Sequence, residues 1–481
     1  MKPHLLVLVV GVAGSLAACS LAPVYEKPAT APPPASYKEV GDWKPAQPAD
    51  TQPRGPWWNL YQDSQLDALE AQVSTSNQNL KAAFARLEQA RAQVRYVRSS
   101  YLPTITASGG ASRFRTSVNS PQYSTVKPAT QNDVLLESDL SYEIDVFGRV
   151  RNSVAAARAS AQASAADLAV VDLSMHSELA MDYFTLRSQD AQQRLLDQTV
   201  AEYDKALQLA QNLYNGGAAP LTDVAQAQAQ LETARTQAED VRLRRAQTEH
   251  AIAVLVDQHA STFRLEPQPL PLDAAPPPID PGLPSALLER RPDVAAAERG
   301  VAAANATIGV VRAAYFPVFS LSAALGFEST HGFSLIDAPS TLWALGPSAL
   351  LTLFDGGRRR AQTDQARAAY DEQVANYRNT VDTAYSEVED SLAALRQLER
   401  ESVSEAAAVA ATSTELEQAN YRYQAGATNY LEVVIAENAA LAAQLSAADI
   451  QVRRMTASVL LVKALGGGWE DRMRMAQVAS R

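Results

Sequence analysis

Two stretches of this 481-residue chain, about 149–214 and 357–424, run through Ala, Gln, Glu, Arg and Leu with no proline and with glycine only at Gly357. Their apolar residues recur at helical spacing and nothing in them breaks a helix. At 1.5 Å per residue each makes a single helix of about 100 Å. No globular core needs a helix that long; a coiled coil or the wall of a tube does. Two shorter helical stretches flank each one, about 66–100 and 220–257 in the first half and about 285–314 and 429–465 in the second. Stacked end to end, each short pair matches one long helix.

The chain is written twice. Arg98-Ser99-Ser100-Tyr101-Leu102-Pro103 returns as Arg312-Ala313-Ala314-Tyr315-Phe316-Pro317, and Tyr214-Asn215-Gly216-Gly217-Ala218 returns as Tyr423-Gln424-Ala425-Gly426-Ala427. Phe147-Gly148-Arg149-Val150-Arg151 returns in outline as Gly356-Gly357-Arg358-Arg359-Arg360. The offset shortens from 214 to 209 between Pro103 and Phe147, a stretch that reads as strand, loop and strand. Loops tolerate such changes. The organisation is a leader over 1–18, an extended Pro- and Ala-rich strap over 19–56, and a first repeat over 57–265. A Pro-rich linker follows over 266–284, then a second repeat over 285–468 and a tail over 469–481.

Between the first and middle helix of each half the period changes to two. Leu136, Ser138, Leu140, Tyr142, Ile144 and Val146 alternate with Glu137, Asp139, Ser141, Glu143 and Asp145. Phe319, Leu321, Ala323, Leu325 and Phe327 alternate with Ser320, Ser322, Ala324, Gly326 and Glu328. Segments of about ten residues, apolar on one side, suit a transmembrane β-barrel, though one alone fits a half-buried soluble sheet as well. The setting favours the barrel. Pro103 and Pro317 break the incoming helices, and Tyr101, Phe147, Tyr315, Phe316 and Phe354 gather at the junctions like an interfacial belt. Four strands are expected, about 103–114, 134–146, 317–328 and 343–354. Four cannot close a barrel, and an open edge in lipid leaves backbone groups unpaired at several kcal/mol each. Copies of the chain must therefore share one barrel.

The first residues read as an address. Lys2 and His4 precede an apolar run from Leu5 to Ala13 and small residues to Ala18, too short for a permanent span. Leu16-Ala17-Ala18-Cys19 resembles the lipobox of bacterial lipoproteins, which implies cleavage before Cys19 and acyl chains on its sulfur and amine. Each buried CH₂ adds about 0.8 kcal/mol, so several chains anchor firmly. Ser20, where an Asp would signal retention in the inner membrane, implies the outer one. Cys19 is the only cysteine, so no intramolecular disulfide or CxxC site forms. The five histidines (His4, His176, His250, His259 and His331) have no metal-ligand spacing, and no nucleotide-binding or nucleophile motif occurs. No enzyme activity, metal or cofactor beyond the covalent lipid is expected. A net charge of −11 argues against nucleic acid as a partner.

Longer motifs span nearly the whole mature chain: Cys19-Ser20-Leu21-Ala22-Pro23-Val24-Tyr25-Glu26-Lys27-Pro28, Trp57-Trp58-Asn59-Leu60-Tyr61, Glu289-Arg290-Arg291-Pro292-Asp293-Val294 and Ala464-Leu465-Gly466-Gly467-Gly468-Trp469. On these the chain resembles the outer-membrane efflux lipoproteins of the OprM/NodT type, in the TolC-like outer membrane factor family. The resemblance implies a mainly α fold with a transmembrane β part. Three copies would share a twelve-stranded outer-membrane β-barrel, four strands from each, continuous with a twelve-helix periplasmic α-barrel. It implies a passive exit channel for drugs or other small toxic compounds, lipid-anchored in the outer membrane of a Gram-negative bacterium. The partners implied are a periplasmic adaptor and an inner-membrane pump of the resistance-nodulation-division class.

The turns Tyr214–Val224 and Tyr423–Val433 are the expected periplasmic tips. Gly216, Gly217 and Gly426 are expected to supply positive φ for the reversal, and with Thr428 to meet adaptor or pump. In the resembled family the tip tyrosine of the second half bonds the tip aspartate of the first and helps hold the tube shut; Tyr423 and Asp223 occupy those positions. Thr428 stands where TolC has an additional tying arginine. Asp223 serves equally as a negative charge at a helix start. The resemblance also places the entrance constriction at Leu431 and Ile435, with Glu432 matching the first acid of an entrance pair and Ile435 replacing the second. Either apolar residue serves equally as an ordinary packing position. Opening would untwist the second-half helices. From the strand pattern, Glu137, Asp139, Glu143 and Asp145 face the lumen and favour cations. The methionines form no ladder, which weighs against soft-metal cargo. A type I protein-secretion duct and a lipid-anchored coiled-coil scaffold without a pore are the competing readings; the period-two segments stand against the scaffold.

Overall fold

The computed structural model describes residues 21–33, 37–38, 56–115, 117–119, 130–271, 274–279 and 290–467. Cys19, the leader and the tail 469–481 lie outside them. Helices α1 (Ser64–Ser76) and α2 (Gln78–Ser99) lead to strands β1 (Thr104–Arg115) and β2 (Thr130–Ile144), the long α3 (Arg149–Asn215) and its return α4 (Leu221–Leu255). The second half gives α5 (Pro292–Ala313), β3 (Val318–Ser329), β4 (Thr341–Leu350), α6 (Arg358–Gln424) and α7 (Tyr430–Ala464). Helices α3 and α6 each have 67 residues. The expected start of α5 near 285 falls on residues outside those described. The residues form two compact units, and each draws on both halves of the sequence.

The first unit holds the sheet, which is antiparallel throughout in the order β1-β2-β3-β4. A Cβ at Gly326 would stand 2.3 Å from the Leu136 carbonyl oxygen and 2.8 Å from Glu137 Cα, so only glycine lets β3 lie this close to β2. Where β2 gives way to α3, Asp145 accepts the amides of Val150 at 2.9 Å and Arg151 at 2.8 Å. Asp355 does the same before α6, accepting Gly357 N at 3.1 Å and Arg359 N at 3.2 Å. A carboxylate there satisfies orphan N–H groups and complements the helix dipole. Residues 21–27 of the strap lie along α5 in the reverse direction. Arg312 Nη1 donates to the Leu21 carbonyl at 3.4 Å, Asn305 Nδ2 to that of Pro23 at 2.9 Å, and Lys27 pairs with Glu298 at 3.1 Å.

In the second unit one residue divides what the periodicity presents as a single helix over 66–100. Asn77, with φ −55° and ψ 126°, ends α1, while its Oδ1 accepts the amides of Asn79 at 2.9 Å and Leu80 at 3.1 Å and so starts α2. Its Nδ2 also donates at 2.8 Å to the carbonyl of Leu255, the last residue of α4. The second repeat makes the same joint from different chemistry. Arg291, offset by 214 from Asn77, donates at 3.0 Å to the carbonyl of Ala464, the last residue of α7, offset by 209 from Leu255. Its other nitrogens hold Asp293 at 3.0 and 2.6 Å. The Arg-Pro-Asp-Val motif is thus a clasp on a helix end, and Pro292 opens α5 where a missing N–H costs nothing.

Around these joints Leu66, Leu69 and Val73 pack with Leu179, Tyr183, Leu186 and Ile252, and Tyr37 packs with Val388, Leu392, Leu395 and Leu461. His176 is buried, stacked on Trp58 at 4.4 Å with Nδ1 2.5 Å from Glu70. Burial opposes its charge, but its bonds to Asp172 and Glu70 outweigh that and raise its pKa to about 9. The linker lies against the core where it is described: Leu270 N donates to the Arg187 carbonyl at 2.9 Å and Gln268 N to Asp190 at 2.9 Å. Helix α7 is apolar enough over 18 residues to cross a membrane, yet 44% of that window is buried by protein, which accounts for its composition.

Asn77→Ala removes both a cap and a buried tie, and is expected to cost about 1–2 kcal/mol of unfolding free energy. Denaturant unfolding of the purified protein checks this. Asn77→Ser, which still caps but is too short to reach Leu255, should recover part of the loss.

Candidate functional site

Directly paired residues in a sheet point to the same side, so the register assigns the faces. One face carries Ile105, Leu136, Leu140, Ile144, Leu321, Leu325, Phe327, Trp343 and Leu345. In the single chain this face is bare: Trp343 is 76% exposed and Ile105 68%. The opposite face carries Thr106, Ser108, Glu137, Asp139, Ser320, Ser322 and Ser348. Phe147 stacks on Phe316 at 4.6 Å where the strands meet the helices.

Of the four acids expected to line a lumen, three stand on the polar face, Glu143 opposite Ser320, and two of the four are held by arginines. Glu137 and Asp139 stand on the polar face without an ion pair among the described residues. Glu143 is clasped by Arg149, whose Nε donates at 2.7 Å, and Asp145 lies beyond the end of β2, where it caps α3 and pairs with Arg151 at 3.2 Å. The cause is local: α3 begins so soon after β2 that its first residues take both carboxylates.

The two tip turns share one geometry. Ala218 N donates to the Leu213 carbonyl and Ala427 N to that of Arg422, both at 2.8 Å, around Gly217 at φ 74° and Gly426 at φ 69°. Gly216 does not take the positive φ expected of it. Its amide continues the helical ladder to Asn212 at 3.0 Å, and Ala425 fills the matching place in the other turn. Ala210, Ala227, Ala419, Tyr430, Val433 and Ala436 pack between the turns.

Tyr423 leans on Tyr430 at 5.2 Å. Its pKa is raised by burial and further by the charge of Asp223, while burial also raises that of Asp223. The two are neighbours, but the expected hydrogen bond is not made: the buried Tyr423 hydroxyl has no partner among the described residues. Glu432 is paired with Arg422 at 3.0 Å across the α6–α7 turn. Both are exposed, so the pair adds about 0–1 kcal/mol at most. The sequence reading passed over Arg422, although a base in the last turn of one helix and an acid in the first turn of the next announce it. Leu431 and Ile435 are exposed one turn apart on α7, and Thr428 is half-buried. Glu437, also missed, is 7% exposed with Oε2 unpartnered. Burial, then the charge of Glu202, pushes its pKa up to about 7.

The family model for outer membrane efflux protein matches residues 69–256 and 283–467, one stretch in each half. The chain belongs to the outer membrane efflux protein family. It is 33% identical to the toluene efflux pump outer membrane protein TtgF of Pseudomonas putida over 98% of each chain. With the outer membrane protein OprJ of Pseudomonas aeruginosa it shares 32% identity over 98% of this chain and 97% of that one. The solved outer-membrane channel OprN matches with a TM-score of 0.86 at 30% identity, covering 94% of this chain and 100% of OprN. This efflux protein has the fold of the TolC-like outer-membrane channels and is an outer-membrane efflux channel that reaches into the periplasm of a Gram-negative bacterium.

Glu437 supplies a pH dependence at the tips. Its folded pKa of about 7 lies above the ordinary 4.5, so folding favours the protonated acid. The stabilisation is complete below about pH 4.5 and is lost as pH rises through about 7. Protection of the tip-helix amides, as exchange rates divided by their intrinsic values at each pH, should therefore fall between pH 5 and 8, by the equivalent of about 3 kcal/mol at most. Glu437→Gln should flatten that profile.

Proposed function

We propose that three copies of this chain close one barrel of twelve strands and one tunnel of twelve helices, forming a passive duct for drugs or other small toxic compounds. The observation that carries this reading is the four-stranded sheet, apolar on one uncovered face and ending in β1 and β4, each with one edge unpaired among the described residues. Hydrocarbon accepts the apolar face and refuses the open edges, so neighbouring copies supply the missing partners. An inner-membrane pump of the resistance-nodulation-division class drives transport through a periplasmic adaptor. The duct itself breaks no bond and needs no cofactor. TtgF is named for toluene, and small apolar toxic compounds are the cargo we assign.

A lipid on Cys19 anchors each copy. Leu21 lies against Arg312 near the end of α5, a few residues before β3 begins, which suits an anchor at the membrane boundary. The entrance is formed at the tips by Tyr423, Asp223, Leu431, Glu432 and Ile435. Gly216, Gly217, Gly426 and Thr428 meet the adaptor or pump. The exposure of Leu431 and Ile435 supports their facing a constriction shared with other copies.

Conductance in planar bilayers tests the duct; purified protein that forms no pores removes it. Tyr423→Ala with Asp223→Ala, which removes the ring packed on Tyr430 and the neighbouring carboxylate, should raise single-channel conductance, and unchanged conductance would remove that pair from the gate. Reversal potentials in a salt gradient should show cation preference, reduced by Glu137→Gln with Asp139→Asn; anion preference would refute the lumen assignment.

A further inference from the structure

Two arginines on the sheet have no place in the duct described above. The register sets Arg113 opposite Asn132 and Arg115 opposite Thr130, on the face that carries Ile105, Leu136 and Trp343. They are the only charged strand residues of that face; no carboxylate stands on it in any of the four strands. Both are exposed, and neither side chain has an ion pair or hydrogen bond among the described residues.

Depth decides what such a pair can do. An arginine facing lipid at the middle of a barrel costs about 2–4 kcal/mol, and about 0–1 near the interface. Along β2 the apolar face runs from Ile144 to Val134, about 34 Å of strand at about 3.4 Å per residue. At the usual barrel tilt of about 40° that spans about 26 Å, the height of a barrel's apolar band. Val134 pairs with Ala111. Arg113 and Arg115 therefore lie one and two pleats beyond the edge of the band, about 5 and 10 Å above the hydrocarbon. That edge is the outer one, because the opposite strand ends join α2, α3, α5 and α6, the helices on the periplasmic side. Two guanidinium groups, about 7 Å apart along the strand, thus stand level with the headgroups of the outer leaflet. Guanidinium is the side chain whose fork of donors best matches phosphate.

We propose that Arg113 and Arg115 form a binding site for the phosphates of lipid A, the phosphorylated glycolipid of the outer leaflet, once per copy on the outward rim of the barrel. The site rests on the shared-barrel reading above. Because β1 is an edge strand, it lies beside the seam between copies, and a bound bisphosphorylated lipid covers that seam.

Native mass spectrometry of the purified full-length protein titrated with bisphosphorylated lipid A tests it. Arg113→Gln with Arg115→Gln should weaken binding at least tenfold. The corresponding double lysine variant should retain part of it, and dephosphorylated lipid A should bind the wild type no better than the double glutamine variant. Conductance measured on the same preparations separates the two readings: a double variant that still conducts has a formed barrel, whereas a wild type that never conducts sinks the shared barrel itself. Equal lipid A binding by the wild type and a conducting double variant overturns the proposal, as does wild-type binding of phosphatidylglycerol as tight as that of lipid A. If the double variant does not assemble, Arg115→Gln, farther from the hydrocarbon, makes the same comparison.

Discussion

Backbone hydrogen bonding at the edges of a four-stranded sheet constrains everything else in this chain. In water, β1 and β4 would lose little by standing open; in hydrocarbon each unpaired amide or carbonyl costs several kcal/mol. The apolar face built by Leu136, Leu325 and Trp343 commits the sheet to hydrocarbon. In the proposed assembly that commitment makes the edges the surface between copies, and the helices that continue the same strands become the wall of the duct.

Duplication supplies the second constraint. Both halves must end a returning helix against the start of an earlier helix of the same half, and each buries the same carbonyl, that of Leu255 or Ala464. Asparagine does this by capping α2 and donating across; arginine does it by reaching over with Asp293 as its counter-charge. The conserved quantity is a satisfied acceptor at a buried helix end, not a side chain. The tips show the same logic: Gly217 and Gly426 keep the turn identical, while Asp223 is buried and Glu432, its counterpart, is solvated and paired with Arg422.

The sequence by itself determined what depends on period and on punctuation. Uninterrupted helical spacing made α3 and α6 long, alternation gave β2 and β3 their two faces, and repeated motifs declared the duplication. Those properties are local, so a window of residues contains them. Only the tertiary structure decided who uses each polar group. Asn77 divides a helix because the Leu255 carbonyl waits opposite it, far along the chain. Asp145 and Glu143 are held by arginines and amides of α3 because that helix starts within reach of them. Gly216 keeps helical geometry although Gly217 beside it does not, and Glu437 becomes a buried acid only where α3 and α7 enclose it. A charge or an amide has no fixed role in sequence, because its free energy is set by the partners and the dielectric that folding brings to it.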